Sequence, residues 1–373
     1  MAQQSNGMVR LVAEIGTLPG ISNPRYRTPD LLQVDAMKAI RADSLASLDD
    51  YAEVEIAAPE PSASEVRIKV AACGVGYVDA LVALGRYQVK PPLPHIPGGE
   101  VSGWIDAVGA GVGNVAVGDR VIAQVRGGFA EQAIADARSV KRLPPGMALE
   151  QAAGFRINYL TALHGLRDRA HLAAGERLLV FGAAGGVGLA AVQIGHLLGA
   201  TVIAVASTAE KRALAARHGA AITIDRETEG WRERLKSAVG GGIDVVFDPV
   251  CGPLFQPAFR SLNWGGRHLV VGFVGGPIPA LPANLPLMKG ASLVGVDYRQ
   301  FSQVFEAGRA DAELDELLGW VGTGRLDPPA GRIFSFAEHR DALTFALSGA
   351  GVAKTVLAVH RGAAPLGTET GRA

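Results

Sequence analysis

The chain has 373 residues, of which 48% are hydrophobic, and its 36 Lys and Arg balance its 36 Asp and Glu. This length is sufficient for two domains with a sizeable core, and a zero net charge argues against nucleic-acid or anionic-membrane partners. The two cysteines, Cys73 and Cys251, exclude a disulfide framework and, together with an amino end that lacks a signal-peptide pattern, indicate a cytoplasmic protein.

The two ends of the chain lack a regular pattern. Residues 1–36 mix prolines with scattered charges, and residues 362–373 are mostly small or polar. Ordering such a segment costs roughly 1–2 kcal/mol per residue in backbone entropy. We therefore expect a disordered extension at 1–36 that adds little to the fold, and a disordered tail at 362–373.

Short strands dominate the next part of the chain. The segments "MKAIRA", "AEVEIA" and "EVRIKVAAC" have strand character, and further short strands alternate with glycine turns between residues 97 and 133. This pattern predicts a compact, barrel-like β domain over residues 37–155. From residue 143 onward the sequence turns helical and leads into a second domain.

The stretch "VFGAAGGVGLAAVQ", residues 180–193, belongs to a long uncharged segment that raises the question of a membrane span. Its closely spaced glycines contradict a continuous spanning helix. The segment instead divides into a strand "RLLVF", a glycine turn, a helix "LAAVQIGHLLGA" and a strand "TVIAVAS". Near-continuous apolar strands of this kind predict a βαβ unit in a parallel sheet that is covered on both faces.

The glycine turn of this unit has the spacing of a dinucleotide-binding loop. Glycines without Cβ atoms allow backbone N–H groups to approach a pyrophosphate, and the following helix adds its positive amino end. The alternative is a tight turn that serves only helix–strand packing. The predicted cofactor-binding residues of the loop are Gly182, Ala184, Gly185, Gly186, Val187 and Gly188.

The end of the second strand indicates which cofactor the loop binds. An NAD site usually has an acidic residue there, whereas this chain has Ala206 followed by Ser207, Thr208 and Lys211. Hydroxyl groups and a cation suit the 2′-phosphate of NADPH. Alternatively, Ser207 caps the next helix and Lys211 lies on its solvated face.

Strands and helices continue to alternate after this unit. The segments "AAITID", "WRERLKSAV", "IDVVFDPV", "GRHLVVGF" and "ASLVGVD" predict a doubly wound parallel sheet over residues 156–325. The strand-like segments after residue 326 predict that residues 326–361 return to the first domain.

Several motifs together resemble the zinc-independent quinone oxidoreductases of the medium-chain dehydrogenase/reductase superfamily. They are "AACGVGYVDALVALGRY", "PPLPHIPGGEVSGWIDAVGAGVGNVAVGDRV", "NYLTALHGL", "VFGAAGGVGLAAVQIGHLLGA" and "DVVFDPVCG". The resemblance spans residues 37 to about 359. It implies a GroES-like β-barrel catalytic domain, a Rossmann domain, NADPH in the cleft between them, and a homodimer.

The resemblance also implies that no metal is bound. Zinc-containing relatives have Cys, then Gly-His-Glu and a further ligand, whereas this chain has Cys73, Gly99 and Glu100. Too few ligands remain for a tetrahedral site, so we interpret Cys73 as a buried core residue and His95 as structural. Without a Lewis acid, hydride transfer to a quinone or another electrophilic conjugated carbonyl is favoured over alcohol oxidation.

The same resemblance implies the remaining site residues and no dedicated catalytic acid or base. The substrate-cleft candidates are Tyr77, Asp79, Tyr87, Asn158 and Thr161, and the further cofactor contacts are Val250, Gly272 and Phe273. The alternative for the tyrosines is an ordinary half-buried aromatic role, and for the cofactor contacts an ordinary strand-to-loop turn.

The chain also departs from the quinone reductases at three positions. Gly76 replaces an Asn, Leu81 replaces a Tyr, and Asp225 replaces a Tyr beside the adenosine phosphate. The changes at Gly76 and Leu81 leave open an enoyl thioester reductase or a non-catalytic NADPH-binding sensor or interaction protein, and the change at Asp225 weakens the case for NADPH.

Overall fold

The computed structural model describes residues 35–306 and 308–360. The predicted tail at 362–373 lies outside these residues, and so does the predicted extension apart from Asp35 and Ala36, the residue that opens the first strand. Within the described residues, no helix combines the length and the hydropathy needed to cross a membrane.

Strands and helices of the described residues are labelled in chain order. The strands are β1 (Ala36–Arg41), β2 (Ala52–Ala57), β3 (Glu65–Val75), β4 (Glu100–Val108), β5 (Arg120–Gln124), β6 (Gln132–Asp136), β7 (Lys141–Arg142), β8 (Arg177–Phe181), β9 (Thr201–Ala206), β10 (Ile222–Asp225), β11 (Ile243–Asp248), β12 (Leu262–Val270), β13 (Ser292–Gly295), β14 (Ala330–Ser335) and β15 (Lys354–Ala358). The helices are α1 (Tyr77–Ala83), α2 (Leu149–Ala153), α3 (Arg156–Leu163), α4 (Gly186–Leu197), α5 (Ala209–Arg217), α6 (Trp231–Val239), α7 (Phe255–Arg260), α8 (Asn284–Lys289), α9 (Tyr298–Gln300), α10 (Arg309–Gly322) and α11 (His339–Ser348).

The first domain is built on a seven-stranded sheet in the order β14–β15–β3–β4–β5–β7, with β6 paired to β3. Strand β3 alternates between buried and half-buried residues as far as Val70 and is then buried throughout. The change occurs because Ala72 packs against Ala153 of α2 and Val356 of β15. The late strands β14 and β15 therefore share a sheet with β3, while the domain boundaries given above remain predictions.

The second domain is a six-stranded parallel sheet in the order β10–β9–β8–β11–β12–β13. Successive residues of β8 face opposite sides, so that Leu178 and Val180 contribute to one core and Leu179 and Phe181 to another. Helix α4 covers the first side and α6 the second. Two covered faces confirm the predicted doubly wound sheet and explain its apolar strands.

Two elements differ in extent from the sequence prediction. Helix α4 begins at Gly186, three residues earlier than predicted, because Gly185 is extended and ends the loop. Strand β12 begins at Leu262 rather than Gly266. The helical segment after α3 also continues as a π-helical turn, His164–Arg169.

Candidate functional site

The glycine loop joins β8 to α4 at the carboxyl edge of the parallel sheet. Gly182 has a φ of 57°, a left-handed conformation that favours glycine, and its carbonyl accepts a hydrogen bond from the Gly185 N–H at 2.8 Å. A side chain at Gly188 would collide with that same carbonyl. The loop is therefore compact and leads directly into the amino end of α4, whose first N–H groups have no partner within the helix.

The outer side of the loop is open at Gly185. Within the part of the chain that the structure describes, a Cβ atom there would meet only the Gly182 oxygen, at 3.3 Å, and Gly185, Gly186 and Val187 are half-exposed. Ala184 is buried, and its carbonyl accepts a hydrogen bond from the Ala353 N–H at 2.7 Å. The loop thus offers the cradle that a pyrophosphate needs and contacts the first domain beside it.

The end of β9 carries the residues predicted to select the cofactor. Thr208, and not Ser207 as in the alternative prediction, caps α5 by accepting a hydrogen bond from the Lys211 N–H at 3.2 Å. Ser207 is half-buried beside it. The Lys211 ammonium does not simply extend into solvent, because it donates to the Gly349 carbonyl at 2.9 Å and burial lowers its pKa.

Asp225 stands at the end of the neighbouring strand β10, where the sequence resemblance implies a tyrosine. Its Oδ1 atom lies 3.2 Å from the Arg234 guanidinium, and the side chain is 45% exposed. Because Arg234 and solvent screen this carboxylate, it opposes a nearby phosphate less than an isolated acid would.

The turn after β11 supports the glycine loop from the other side. The buried Asp248 accepts hydrogen bonds from the N–H groups of Val250 and Cys251 at 2.9 and 2.7 Å, and its second oxygen lies 3.1 Å from His268 Nε2. A methyl of Val250 lies 3.4 Å from the Cβ position of Gly182. This Asp–His support was not predicted, although an aspartate at a strand end in "FDPVCG" is a visible signal.

Gly272 and Phe273 follow β12, at the same edge of the sheet. A Cβ atom at Gly272 would approach the Pro249 oxygen to 3.1 Å, whereas Phe273 is 42% exposed. Gly272 is therefore packed against the β11 turn and Phe273 faces outward, where a ligand could cover it.

The predicted cleft residues occupy different environments. Tyr77 opens α1, Tyr87 lies in the loop that follows α1, Thr161 lies on α3, and all three are half-buried. Asn158 is buried, donates to the Gly154 carbonyl at 2.9 Å, and packs so closely under Gly186 that a Cβ atom there would lie 2.6 Å from its amide nitrogen. The structure therefore brings Asn158 to the cofactor loop.

Asp79 is held at the start of α1. Its Oδ2 atom accepts a hydrogen bond from the Gly76 N–H at 2.7 Å and lies 3.5 Å from the Lys354 ammonium. Its Oδ1 atom lies 3.8 Å from the Cβ position of Gly99, where the sequence resemblance implies the metal-binding histidine of zinc-containing relatives. The Oδ2 atom of the carboxylate consequently has two fixed partners.

Cys73 and Glu100 complete this region. The Cys73 sulfur is so close to Gly98 that a Cβ atom there would lie 2.7 Å from it, and burial raises the pKa of the thiol well above its ordinary value. Glu100 accepts a weak hydrogen bond from the Ile157 N–H at 3.3 Å, but its Oε2 atom is buried without a partner. Burial raises the pKa of Glu100 to about 7, and the Lys354 charge opposes that rise.

These residues do not fit a zinc ion. Among residues 35–306 and 308–360, no group of three or more His, Cys, Asp or Glu side chains could hold a metal. His95 is used elsewhere, since its Nδ1 atom lies 2.7 Å from the Tyr51 hydroxyl. The region contains the Lys354 ammonium, whose charge would repel a metal cation.

Lys354 is the residue of this region that the sequence interpretation missed. It stands in "AKTVLAVH", a strand whose other residues are mostly apolar, and only 9% of it is exposed. A lysine in a buried strand is uncommon unless it has a partner, so its position in the sequence was an available signal.

Known proteins are similar to this chain along most of its length. Residues 62–145 match the alcohol dehydrogenase GroES-like domain and residues 186–311 match the zinc-binding dehydrogenase family. Quinone oxidoreductase-like protein 2 from Bos taurus is 37% identical over 310 residues, which cover 81% of this chain and 87% of that protein.

Two solved structures have the same fold. The quinone oxidoreductase from Thermus thermophilus, also solved as its complex with NADPH, superimposes with a TM-score of 0.76 and 32% identity, covering 87% of this chain and all of that one. The CurK enoyl reductase superimposes with a TM-score of 0.78 and 26% identity, covering 87% of this chain and 99% of that one.

Proposed function

This chain belongs to the quinone oxidoreductases of the medium-chain dehydrogenase/reductase superfamily, and from that premise we propose that it reduces quinones or related conjugated carbonyls without zinc. It is an NADPH-dependent oxidoreductase that acts on a small molecule. The observation that carries the proposal is the Lys354–Asp79 ion pair in place of a metal site.

The residues that stand in place of a metal site restrict the substrate. An alcohol substrate must lose its proton as hydride leaves, and a Lewis acid normally stabilises the resulting alkoxide. A quinone or an enone instead accepts hydride and spreads the charge over a conjugated system, so hydrogen bonds suffice. Gly99 in the histidine position and the ammonium near it therefore support reduction of conjugated acceptors.

The chain's own residues position the cofactor. When bound, NADPH supplies a hydride. The amino end of α4 and the open side of Gly185 receive the pyrophosphate, and Val250 packs beside the loop. Ser207 and Lys211 bind the 2′-phosphate, with Thr208 fixing the turn that presents them.

The substrate side of the cleft is lined from α1, its following loop and α3. Tyr77, Tyr87 and Thr161 are half-buried there, which leaves part of each side chain for a ligand. Their role is to orient the acceptor beside the nicotinamide, because positioning contributes much of the rate in hydride transfer.

A substrate panel tests this function. Purified protein is mixed with NADPH and with quinones, enals, enones or enoyl thioesters, and the loss of reduced nicotinamide is followed by absorbance. We expect saturable turnover with quinones, and none in a Gly185→Val variant that lacks the open side of the loop. Alcohol oxidation with NADP⁺, or the need for added zinc, would contradict the proposal.

An enoyl thioester reductase is the second candidate, supported by the similarity to the CurK enoyl reductase. The two candidates are separated by the same panel, since an enoyl thioester reductase prefers thioesters by kcat/KM. If the protein binds NADPH but none of the acceptors in the panel supports NADPH oxidation, it is a non-catalytic sensor or interaction protein.

We also propose a cytoplasmic homodimer. Among the described residues, strand β13 ends the parallel sheet without a further partner strand. Exposed apolar side chains lie on β12, α8 and β13, at Trp264, Leu287, Met288 and Leu293. A second copy of the chain paired at this edge would cover both the strand edge and these apolar side chains. Both cysteines are free and buried, as in a reducing compartment. Light scattering should give twice the mass of one chain, and Trp264→Asp should reduce it to one.

A further inference from the structure

The path of the Lys354 side chain is unusual for a lysine in a sheet. The residue opens β15 directly after Ala353, whose N–H group donates to the glycine loop at Ala184. Its side chain then extends to Gly76, at the start of α1. The lysine therefore begins beside the cofactor loop and ends beside the predicted substrate cleft.

Three glycines make room for this side chain. A Cβ atom at Gly154 would lie 2.7 Å from Lys354 Cβ, one at Gly74 would lie 3.2 Å from Cε, and one at Gly76 would lie 2.6 Å from Nζ. Each of these glycines comes from a different turn or element of the first domain. Gly76, which replaces the asparagine of quinone reductases, thus leaves its space to an ammonium group.

Among the described residues, the Lys354 ammonium has one carboxylate within ion-pair distance. The Lys354 side chain is only 10% exposed, and its ion pair with Asp79 has a length of 3.5 Å. That distance exceeds a good charged hydrogen bond of about 2.8 Å, and an ammonium has three N–H donors. Burying a charge with so few acceptors is costly, so the arrangement points to a further acceptor that a ligand supplies.

A purely structural role for the Lys354–Asp79 ion pair does not explain its length of 3.5 Å. A pair that only anchored β15 to α1 would be expected to close to hydrogen-bond distance, as Lys141 and Asp315 do at 2.7 Å. Glu100 also lies within the field of Lys354 with an unpartnered Oε2 atom. A buried carboxyl oxygen without a partner and a long ion pair in one region indicate a site that binds a polar ligand atom.

We propose that Lys354 binds the carbonyl oxygen of the acceptor and protonates it during reduction, with Asp79 holding the ammonium in place. This inference rests on the proposed function and adds a catalytic residue to it. A lysine donor at this point replaces both the missing metal and the missing asparagine side chain.

The proton and electron balance of the step is complete. A C–H bond of bound NADPH would break to supply the hydride, leaving NADP⁺. The hydride forms a new C–H bond at the conjugated carbon of the acceptor, and the displaced electron pair moves to the carbonyl oxygen. That oxygen forms an O–H bond as one N–H bond of Lys354 breaks, and water returns a proton to the amine. The acceptor gains one hydride and one proton in total.

Binding of an anionic oxygen tests the contact without catalysis. The NADP⁺ complex is titrated with 4-nitrophenolate, which carries a charged oxygen, and with nitrobenzene, which does not. Lys354→Met should weaken phenolate binding by roughly tenfold to a hundredfold, the loss of one charged hydrogen bond, and leave nitrobenzene unchanged. Lys141→Met, which removes a lysine from a different ion pair, should change neither affinity.

Three results of this titration overturn the proposal. Equal phenolate affinity in wild type and Lys354→Met would show that the ammonium does not contact the oxygen. An equal loss for both ligands would assign Lys354 a structural role. A large loss of NADPH affinity, measured by nicotinamide fluorescence, would make it a cofactor ligand.

A series of quinones provides the kinetic test. Proton donation to the carbonyl oxygen accelerates the reaction more when the oxygen of the reduced quinone is more basic. Methyl groups make this oxygen more basic than chloro groups do. The Lys354→Met substitution should therefore lower kcat more with methyl-substituted than with chloro-substituted benzoquinones. The loss should reach roughly a hundredfold or more for the most basic member, as for removal of an oxyanion donor. A uniform loss across the series would contradict the proposal.

Gly76→Ala displaces the ammonium without deleting it and therefore covers the case that Lys354→Met fails to fold. Gly76 has a φ of −110°, which alanine adopts freely, and the added Cβ would lie 2.6 Å from Nζ. The same substituent-dependent loss is expected. If wild-type protein reduces quinones and both variants behave like it, only the role of Lys354 fails; if wild type reduces no conjugated acceptor, the proposed function itself fails.

Discussion

At the scale of single residues, Glu100 shows how burial sets a pH dependence. Its raised pKa of about 7, against an ordinary 4.5, means that the folded protein holds this proton more tightly than the unfolded chain. The associated stability is fully present below pH 4.5 and is lost as the pH rises through about 7. At about 1.4 kcal/mol per pKa unit, the loss approaches roughly 3 kcal/mol.

Glu100→Gln should remove this pH dependence, because glutamine resembles the protonated carboxyl. Denaturant unfolding is measured at about pH 4 and about pH 8. The variant should match wild type at the lower pH and be more stable at the higher one. Glu233→Gln, which changes an exposed glutamate on α6, is the control, and equal pH dependence in Glu100→Gln and wild type would contradict the assignment.

Lys211 is the residue on which cofactor choice depends most. If its ammonium binds the 2′-phosphate, Lys211→Ala should weaken NADPH by roughly tenfold to a hundredfold, the value of a charged hydrogen bond. NADH lacks that phosphate, so any loss of the hydrogen bond to Gly349 affects both cofactors equally. The ratio of the two dissociation constants isolates the phosphate contact, and an unchanged ratio would exclude it. Lys236→Ala, at an exposed lysine, should change neither constant.

At the scale of elements, the glycine loop of seven residues contains one glycine that serves cofactor binding, Gly185, and one that serves folding, Gly188. Gly185 has an extended backbone, with a φ of −81°, and space outside it. Gly185→Val should therefore fold with a nearly unchanged melting temperature but lose NADPH, since the new side chain occupies the pyrophosphate space. Retained tight NADPH binding would refute the loop assignment.

Gly188→Val is the matched contrast in the same loop. Its side chain would collide with the Gly182 carbonyl, so it should lower both the melting temperature and NADPH affinity. If Gly185→Val lowered the melting temperature as much as Gly188→Val does, the two glycines would share a structural role.

The elements were more predictable from sequence than the site. The segment "RLLVF" coincides with β8, and the alternation of apolar strands with helices was sufficient to predict the parallel sheet. Such local patterns determine local structure. The position of Lys354 could not be derived in this way, because it depends on Gly74, Gly76 and Gly154, which converge only in the folded chain.

At the scale of the whole molecule, the two domains meet beside the cofactor loop through one short segment. Residues 349–354, which lead into β15 of the first sheet, supply the Gly349 carbonyl to Lys211 and the Ala353 N–H to Ala184. Ala353 itself is held at a φ of 50°, a left-handed conformation that costs a non-glycine residue roughly 1–2 kcal/mol. The hydrogen bond from Ala353 to Ala184 therefore forms although the Ala353 backbone is strained, and it links the cofactor loop to the sheet of the first domain.

This connection predicts that NADPH stabilises both domains. Ligand at a hundred times its dissociation constant adds about 2.7 kcal/mol to the free energy of unfolding. Because residues 349–354 lead directly into β15 and its partner β3, hydrogen exchange should slow in these strands as well as in α4. The Gly185→Val variant, expected not to bind NADPH, should show no slowing in either domain. Slowing confined to the parallel-sheet domain would show that the contact between Ala353 and Ala184 does not transmit binding energy across the cleft.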